Sequence, residues 1–312
     1  MLEVKGIVMD FGGVRALDNA TFTAERGVIT GLIGPNGAGK TTMFDVIFGF
    51  LKPTSGEVLF NGRRIDGLEP HTVARMGIGR TFQIIRIFPK MTVLENVLCG
   101  AQNHPGEGIL MSLFPMGGNE RRQGKLRKNN LSKIPGKFYK IRLRISRIRL
   151  SLFRVREKFS KRWDKTPMGK ARVREGEARV RAKELLELVG LKGKMKEKAG
   201  VLSYGEQKML EFARALMVEP EFLFLDEPMA GLNVETKQYM GRLLVDFKKK
   251  GKGILIIEHD MGAVMSISDR LVVLNFGKVI ATGTPQEMQN DPLVVEAYLG
   301  EGAEEAKDAG AA

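Results

Sequence analysis

A chain of 312 residues with 43% hydrophobic content can bury one large α/β core or two modest ones, and its single cysteine, Cys99, rules out an internal disulfide and fits a reducing cytosol. No run approaches 18 apolar residues, which excludes a membrane-spanning helix and leaves any transport role dependent on separate membrane proteins. The net charge of +14 is concentrated in one stretch, so it describes that stretch and not the chain.

Met1 to Asp10 alternates polar and apolar positions without the long apolar core of a secretory signal, and is expected to be an edge strand of the folded domain. Up to about Phe60 the pattern is of strands with short turns. Glu57 to Phe60 followed by Asn61 and Gly62 is a hairpin signal, so this region is expected to form a small antiparallel subdomain and the start of a central sheet.

Within it, Val28 to Ile33 is short, apolar and β-prone, and Thr41 to Phe50 has helix-compatible apolar spacing. Between them Gly34 to Thr42 reads GPNGAGKTT, a glycine-rich loop at a strand-to-helix junction. Gly34, Gly37 and Gly39 let backbone N–H groups turn inward, and the helix that follows adds its positive end, so the loop suits phosphate oxygens. Lys40 supplies a mobile charge for β- and γ-phosphates, and the Thr41 hydroxyl is placed to ligate Mg²⁺.

From about Met91 the spacing becomes helical and stays so through Ala178 to Leu191, where Ala182, Leu185, Leu188 and Val189 mark an apolar face. Arg121 to Arg174 holds 21 Lys and Arg against Glu157 and Asp164, a balance of +19 that leaves −5 for the rest of the chain. Inside this run Phe138, Ile141, Ile145, Ile148, Leu152, Val155 and Phe159 step alternately by three and four, which predicts one helical stripe with arginines off it. Such a helix has several uses: lying on an anionic membrane, with Phe159 and Trp163 as anchors, packing on a partner's loops, or packing on its own subdomain with solvated arginines. Nucleic acid is the weakest of its candidate partners, since no recognised module is present.

LSYGEQ at Leu202 to Gln207 opens a helix continuing to about Val218, so the loop gains a positive helix end aimed at phosphate. The apolar run Phe222 to Leu225 suits a buried parallel strand whose C-terminal end opens on a ligand crevice, where Asp226 and Glu227 emerge together. An aspartate so placed assists Mg²⁺, and an adjacent glutamate can orient and deprotonate water. A third strand, Ile254 to Ile257, delivers Glu258, His259 and Asp260 in the same way, and His259 could bond the γ-phosphate. His71, His104 and His259 are too scattered to suggest a metal cluster.

With these three strand ends the chain resembles the ATP-binding cassette family over nearly everything except the middle insertion. The resemblance implies an α/β fold: a P-loop NTPase (RecA-like) core with a small antiparallel β subdomain and an inserted helical subdomain. It divides the chain into a single cassette over 1–300, a helical subdomain over 91–216 containing the basic insertion at about 104–175, and a flexible acidic tail over 301–312. It also implies ATP and Mg²⁺ as cofactors, with ATP contacted by Phe11, Gly34, Asn36, Gly37, Gly39, Lys40, Thr41 and Thr42, and Mg²⁺ held by Thr41, Gln83 and Asp226. Glu227, His259 and Gln83 are the implied catalytic residues; Gln83, in GRTFQ, falls on the family's Q-loop, which also contacts the membrane partner. Ser203, Gly205 and Gln207 fall on the signature motif, which in the family closes over the nucleotide of the opposite subunit. Phe11, in DFGGVRAL, is the implied adenine-stacking aromatic, a core residue at a strand end being the other reading.

Two residues depart from the family pattern: Tyr204 replaces one of a glycine pair in the signature, and Asn233, in MAGLN, stands where many relatives have aspartate. Both variants, with IEHDM at Ile257 to Met261, GTP at Gly283 to Pro285 and DPLVVEAYLG at Asp291 to Gly300, resemble the subgroup serving importers of branched-chain amino acids. The resemblance therefore implies an ATP-hydrolysing subunit at the cytoplasmic face of the membrane, paired with itself or with a second cassette ATPase. Its partners would be transmembrane permease subunits and, indirectly, a solute-binding protein. Cassettes for urea, other amino acids or lipopolysaccharide share much of the pattern, and a soluble cassette ATPase acting on RNA or ribosomes is the rival from another class.

Overall fold

The computed structural model describes residues 1–101 and 167–298, with side chains from 1–101 and 175–298. The stripe from Phe138 to Phe159, Trp163 and the tail 301–312 lie outside the described residues. The chain divides into two units, 1–102 with 181–312, and 103–180, and every candidate site residue belongs to the first.

Two sheets build that unit. β1 (Leu2–Phe11), β2 (Val14–Ala24), β4 (Ser55–Phe60) and β5 (Arg63–Arg64) form an antiparallel sheet in the order β2-β1-β4-β5. Asn61 and Gly62 join β4 to β5 with φ of 52° and 76°, the left-handed pair that a two-residue hairpin turn requires. The expectation of an edge strand at the start of the chain is corrected: β1 is paired on both sides, with β2 and with β4. Its alternating pattern records one buried face, which edge and interior strands of an antiparallel sheet share.

The second sheet has the order β10-β9-β3-β8-β7-β6, where β6 is Ile78–Arg80, β3 is Ile29–Ile33, β7 is Phe222–Asp226, β8 is Gly253–Ile257, β9 is Arg270–Asn275 and β10 is Lys278–Gly283. All its pairings are parallel except β9 with β10. Every residue of β3, β7 and β8 is buried, which is why these strands read as continuous apolar runs with no alternation.

Helix α1 (Lys40–Ile47) follows β3. Its Phe44 meets Phe224 edge to face at 5.3 Å, and Phe60 of the antiparallel sheet meets Phe222 in the same manner at 6.3 Å, so aromatic contacts join both sheets and α1 in one core. Helices α2 (Pro70–Arg75), α3 (Val93–Leu98), α4 (Pro167–Leu188) and α5 (Tyr204–Leu216) come before β7 in the chain. After it come α6 (Val234–Lys249), α7 (Met261–Ile267) and α8 (Pro285–Gln289). At the end of α4, Ala182, Leu185, Leu186 and Val189 are buried at 4% exposure or less, whereas Leu188 is 39% exposed. The expected apolar face thus contains Leu186 and not Leu188, in keeping with i, i+3, i+4, i+7 spacing. Among the described residues no helix is long and apolar enough to cross a membrane.

Candidate active site

Strand register sets the site. In the parallel sheet Leu32 of β3 pairs with Ile257 of β8, and Ile257 pairs with Asp226 of β7, so three adjacent strands end side by side. The segments leaving them carry the glycine-rich loop, the Asp226–Glu227 pair and the Glu258–His259–Asp260 run.

The glycine-rich loop is packed where only glycine fits. A Cβ on Gly34, whose φ is 146°, would lie 1.9 Å from the Leu274 carbonyl oxygen of β9, and one on Gly39, with φ of 101°, would lie 2.6 Å from that of Ala16. Gly39 is the left-handed cap of α1 and offers the helix no capping side chain, so the first-turn amides face the loop. Lys40 is 6% exposed and its ammonium donates to the Gly34 and Pro35 carbonyls, both at 2.6 Å. Asn36, Gly37 and Thr41 are exposed and Thr42 is half-buried. Phe11 closes the β1–β2 turn opposite Val14 at 43% exposure, and the same hairpin touches the loop through Ala16. Its ring is thus a surface group and not a core one.

Two sequence-predicted residues converge on the carboxylate of a third. Gln83 Nε2 donates to Glu227 Oε1 at 3.0 Å, and His259 Nε2 lies 2.9 Å from the same oxygen. Glu227 has φ of 48° directly before Pro228, a strained left-handed setting for a non-glycine residue. Its amide donates to the Ile257 carbonyl, and its own carbonyl accepts from the buried ammonium of Lys208 on α5.

Asp226 is 2% exposed, and burial pushes its carboxyl up to about 6, against the pull of the Arg80 guanidinium. Its Oδ1 is buried with no hydrogen-bond partner, and a cavity of about 270 Å³ is lined by Thr41, Gln83 and Asp226 with Asp45 and Arg80. The three sequence-predicted metal ligands therefore face one space. Arg80 spans its wall: the guanidinium bonds Asp45 of α1 at 2.7 Å and lies 4.8 to 5.8 Å from the rings of Phe44, Phe48, Phe50 and Phe82.

Glu258 faces inward. It is 3% exposed, accepts the Met229 amide at 2.7 Å, and burial pushes it up to about 7. Asp260 caps α7 through the Ala263 amide and pairs with Lys237 at 2.7 Å.

The signature residues form a separate group. Ser203 is the exposed cap of α5 in a reciprocal box with Glu206, which Lys194 holds at 2.6 Å. The Lys194 ammonium first, and then the Ser203 amide, keep the Glu206 carboxyl below its usual range. Gln207 turns its amide back onto the Leu202 carbonyl at 2.9 Å. Among the described residues no hydrogen bond from Ser203 or Gln207 reaches Glu227, and Gly205 has only Leu232 near its open side. The Tyr204 ring lies over Gly231, where a Cβ would come within 2.8 Å of it, and Asn233 caps α6 through the Thr236 amide.

Sequence reasoning missed Lys208, Arg80 and the cap made by Glu206. A charged letter gives no sign of burial, but Ser-x-x-Glu ahead of an apolar helix was a readable capping signal.

Residues 17–230 match the family model described as ABC transporter, and residues 278–304 match the one described as branched-chain amino acid ATP-binding cassette transporter. The chain is 37% identical to the high-affinity branched-chain amino acid transport ATP-binding protein LivG of Salmonella typhimurium, covering 96% of this chain and 98% of the relative. It is 36% identical to BraF, of the same description, from Pseudomonas aeruginosa, with the same coverage. A solved structure titled as the ADP conformation of MJ1267, an ATP-binding cassette of an ABC transporter, superposes with a TM-score of 0.68 at 32% identity, covering 96% of this chain and 98% of the other. The family expected from the three strand ends and the signature loop is the family found: this chain belongs to the ABC transporter family, as an ATP-binding cassette.

Proposed function

We propose that this chain hydrolyses ATP to drive uptake of branched-chain or closely related amino acids through separate permease subunits, from the cytoplasmic face of the membrane. The observation that carries the chemistry is the convergence of Gln83 and His259 on Glu227 Oε1 at the ends of adjacent parallel strands. A carboxylate oriented from two sides, beside a phosphate-binding loop, is a water-activating arrangement. The relatives' names support the choice of solute.

In this reading two cassettes close around two nucleotides. Amides of Asn36, Gly37, Gly39, Lys40, Thr41 and Thr42 cradle the phosphates, the Lys40 ammonium leaves its loop carbonyls for phosphate oxygens, and Phe11 stacks on adenine. Glu227 takes the proton of the attacking water, and His259 bonds the γ-phosphate. Ser203, Gly205 and Gln207 complete the site of the opposite subunit, which is consistent with the absence, among the described residues, of a hydrogen bond from Ser203 or Gln207 to Glu227 of their own.

The lone buried oxygen of Asp226, with the Thr41 hydroxyl and the Gln83 amide on the same cavity, fits the oxygen-donor set a hard divalent cation takes. These residues would hold Mg²⁺, which supplies charge neutralisation at the phosphates.

The test is reconstitution with the permease subunits and binding protein in liposomes, measuring ATPase activity against added solutes. Stimulation by leucine, isoleucine or valine is expected. Stimulation by urea alone, or RNA recovered with the purified chain in place of permeases, would overturn the assignment.

A further inference from the structure

Lys208 is a buried ammonium that the mechanism above leaves without a task. It is 4% exposed, and burial pushes it below its usual range despite the pull of Glu258, Glu211, Glu227 and Asp226. None of these carboxylates forms an ion pair with it among the described residues; its hydrogen bond goes to the main-chain carbonyl of Glu227, and it lies 5.8 Å from the Tyr204 ring centroid. Removing a Lys from water to bond one neutral carbonyl is an unfavourable use of a charge, so that contact needs a reason beyond stability.

Two features of its place supply the reason. Lys208 sits on α5 five residues beyond Ser203, the cap of that helix. The carbonyl it holds belongs to the left-handed Glu227–Pro228 peptide, whose geometry aims the catalytic carboxylate. A packed helix can carry a displacement along its axis, and a strained backbone setting persists only while its surroundings hold it, so a contact on its carbonyl bears on that setting.

We propose that Lys208 is a positioning residue that couples the serine turn of a subunit to that same subunit's catalytic glutamate. The inference rests on the proposed composite sites. Ser203 of one copy would report closure over the partner's nucleotide, α5 would carry that displacement, and Lys208 would set the Glu227 peptide. Each site would then be primed by the occupancy of the other.

The test uses the full chain with its permease subunits and compares Lys208→Met, which removes the donor, with Lys208→Arg, which keeps a cation. Lys208→Met is expected to lower kcat about 10- to 100-fold with nucleotide Kd within about twofold of the wild type. It should also bring the Hill coefficient for ATP towards 1, and Lys208→Arg should restore at least part of both. Crossing each variant with Ser203→Ala separates transmission from mere structure: coupled residues give a double mutant no slower than the slower single, independent ones multiply. The proposal is overturned by a Lys208→Met enzyme with wild-type kcat and cooperativity, by equal impairment of Met and Arg variants, or by multiplicative losses in the cycle. A wild-type complex that does not hydrolyse ATP would instead overturn the function proposed above.

Discussion

His259 Nε2 lies 2.9 Å from Glu227 Oε1, an oxygen that also accepts from Gln83. The carboxylate is thereby fixed from the β8 side and from the segment after β6, while its backbone is fixed by the Ile257 carbonyl below it and by Lys208. In the proposed role of general base, a carboxylate held on so many sides acts by orientation as well as by basicity, so its removal is expected to act on turnover before binding.

Glu227→Gln keeps the shape and one oxygen but removes the base. It is expected to lower kcat by about 10²- to 10⁴-fold, leave nucleotide affinity within a few-fold, and accumulate a closed dimer with ATP. Phosphate release and light scattering check this together. Normal turnover in that variant would remove Glu227 from the role of base.

Gly34→Ala tests the loop against its backing strand. The new methyl would meet the Leu274 carbonyl oxygen at 1.9 Å, and that contact is backbone, which cannot swing aside as a side chain can. A loss of about 1–3 kcal/mol of stability is expected, together with loss of ATP binding. Chemical denaturation and a fluorescent nucleotide titration are the measurements; unchanged affinity would show that the loop tolerates displacement from β9.

Glu258 gives a pH dependence with a definite sign. Its folded value is raised from 4.5 to about 7, so between those limits the native state binds more protons than the unfolded one. Its contribution is therefore fully present below about pH 4.5 and is lost as pH rises through about 7, by about 3 kcal/mol in all. Lys208, Glu227 and Asp260 are the charged groups acting on it, after burial and the Met229 amide. Glu258→Gln keeps an oxygen for that amide and removes the titration. The variant should gain stability over the wild type progressively between about pH 4.5 and 7, keep that gain up to about pH 9, and gain nothing at about pH 4. Parallel stability curves across that range would contradict the burial argument.

How much of this could be read in the letters follows from burial. Phe222 to Leu225 and Ile254 to Ile257 announced themselves because strands covered on both faces admit only apolar residues, and the site residues sit directly at their ends. Asn61–Gly62 was legible because few residue pairs accept left-handed backbone. The position of β1 inside its sheet was not, because one alternating face is common to edge and interior strands. Lys208, Glu211 and Glu258 were hidden for a different reason: charged residues in amphipathic or strand-end contexts read as solvated, and only packing of α5 and the strand ends around them makes them interior.

Asn233 separates a structural task from an electrostatic one. Its side-chain oxygen accepts the Thr236 amide at 2.8 Å as the cap of α6, a task that asparagine and aspartate perform about equally. Asn233→Ala should therefore destabilise the fold by about 1 kcal/mol, and Asn233→Asp should change it by no more than about 0.5 kcal/mol. The aspartate variant adds a negative charge two residues from Gly231, over which the Tyr204 ring of the signature turn lies. If that charge matters to communication between composite sites, Asn233→Asp will shift the Hill coefficient for ATP while leaving the denaturation midpoint in place. A midpoint shift as large as that of the alanine variant would instead show that the cap itself depends on the amide, and the charge argument would fail.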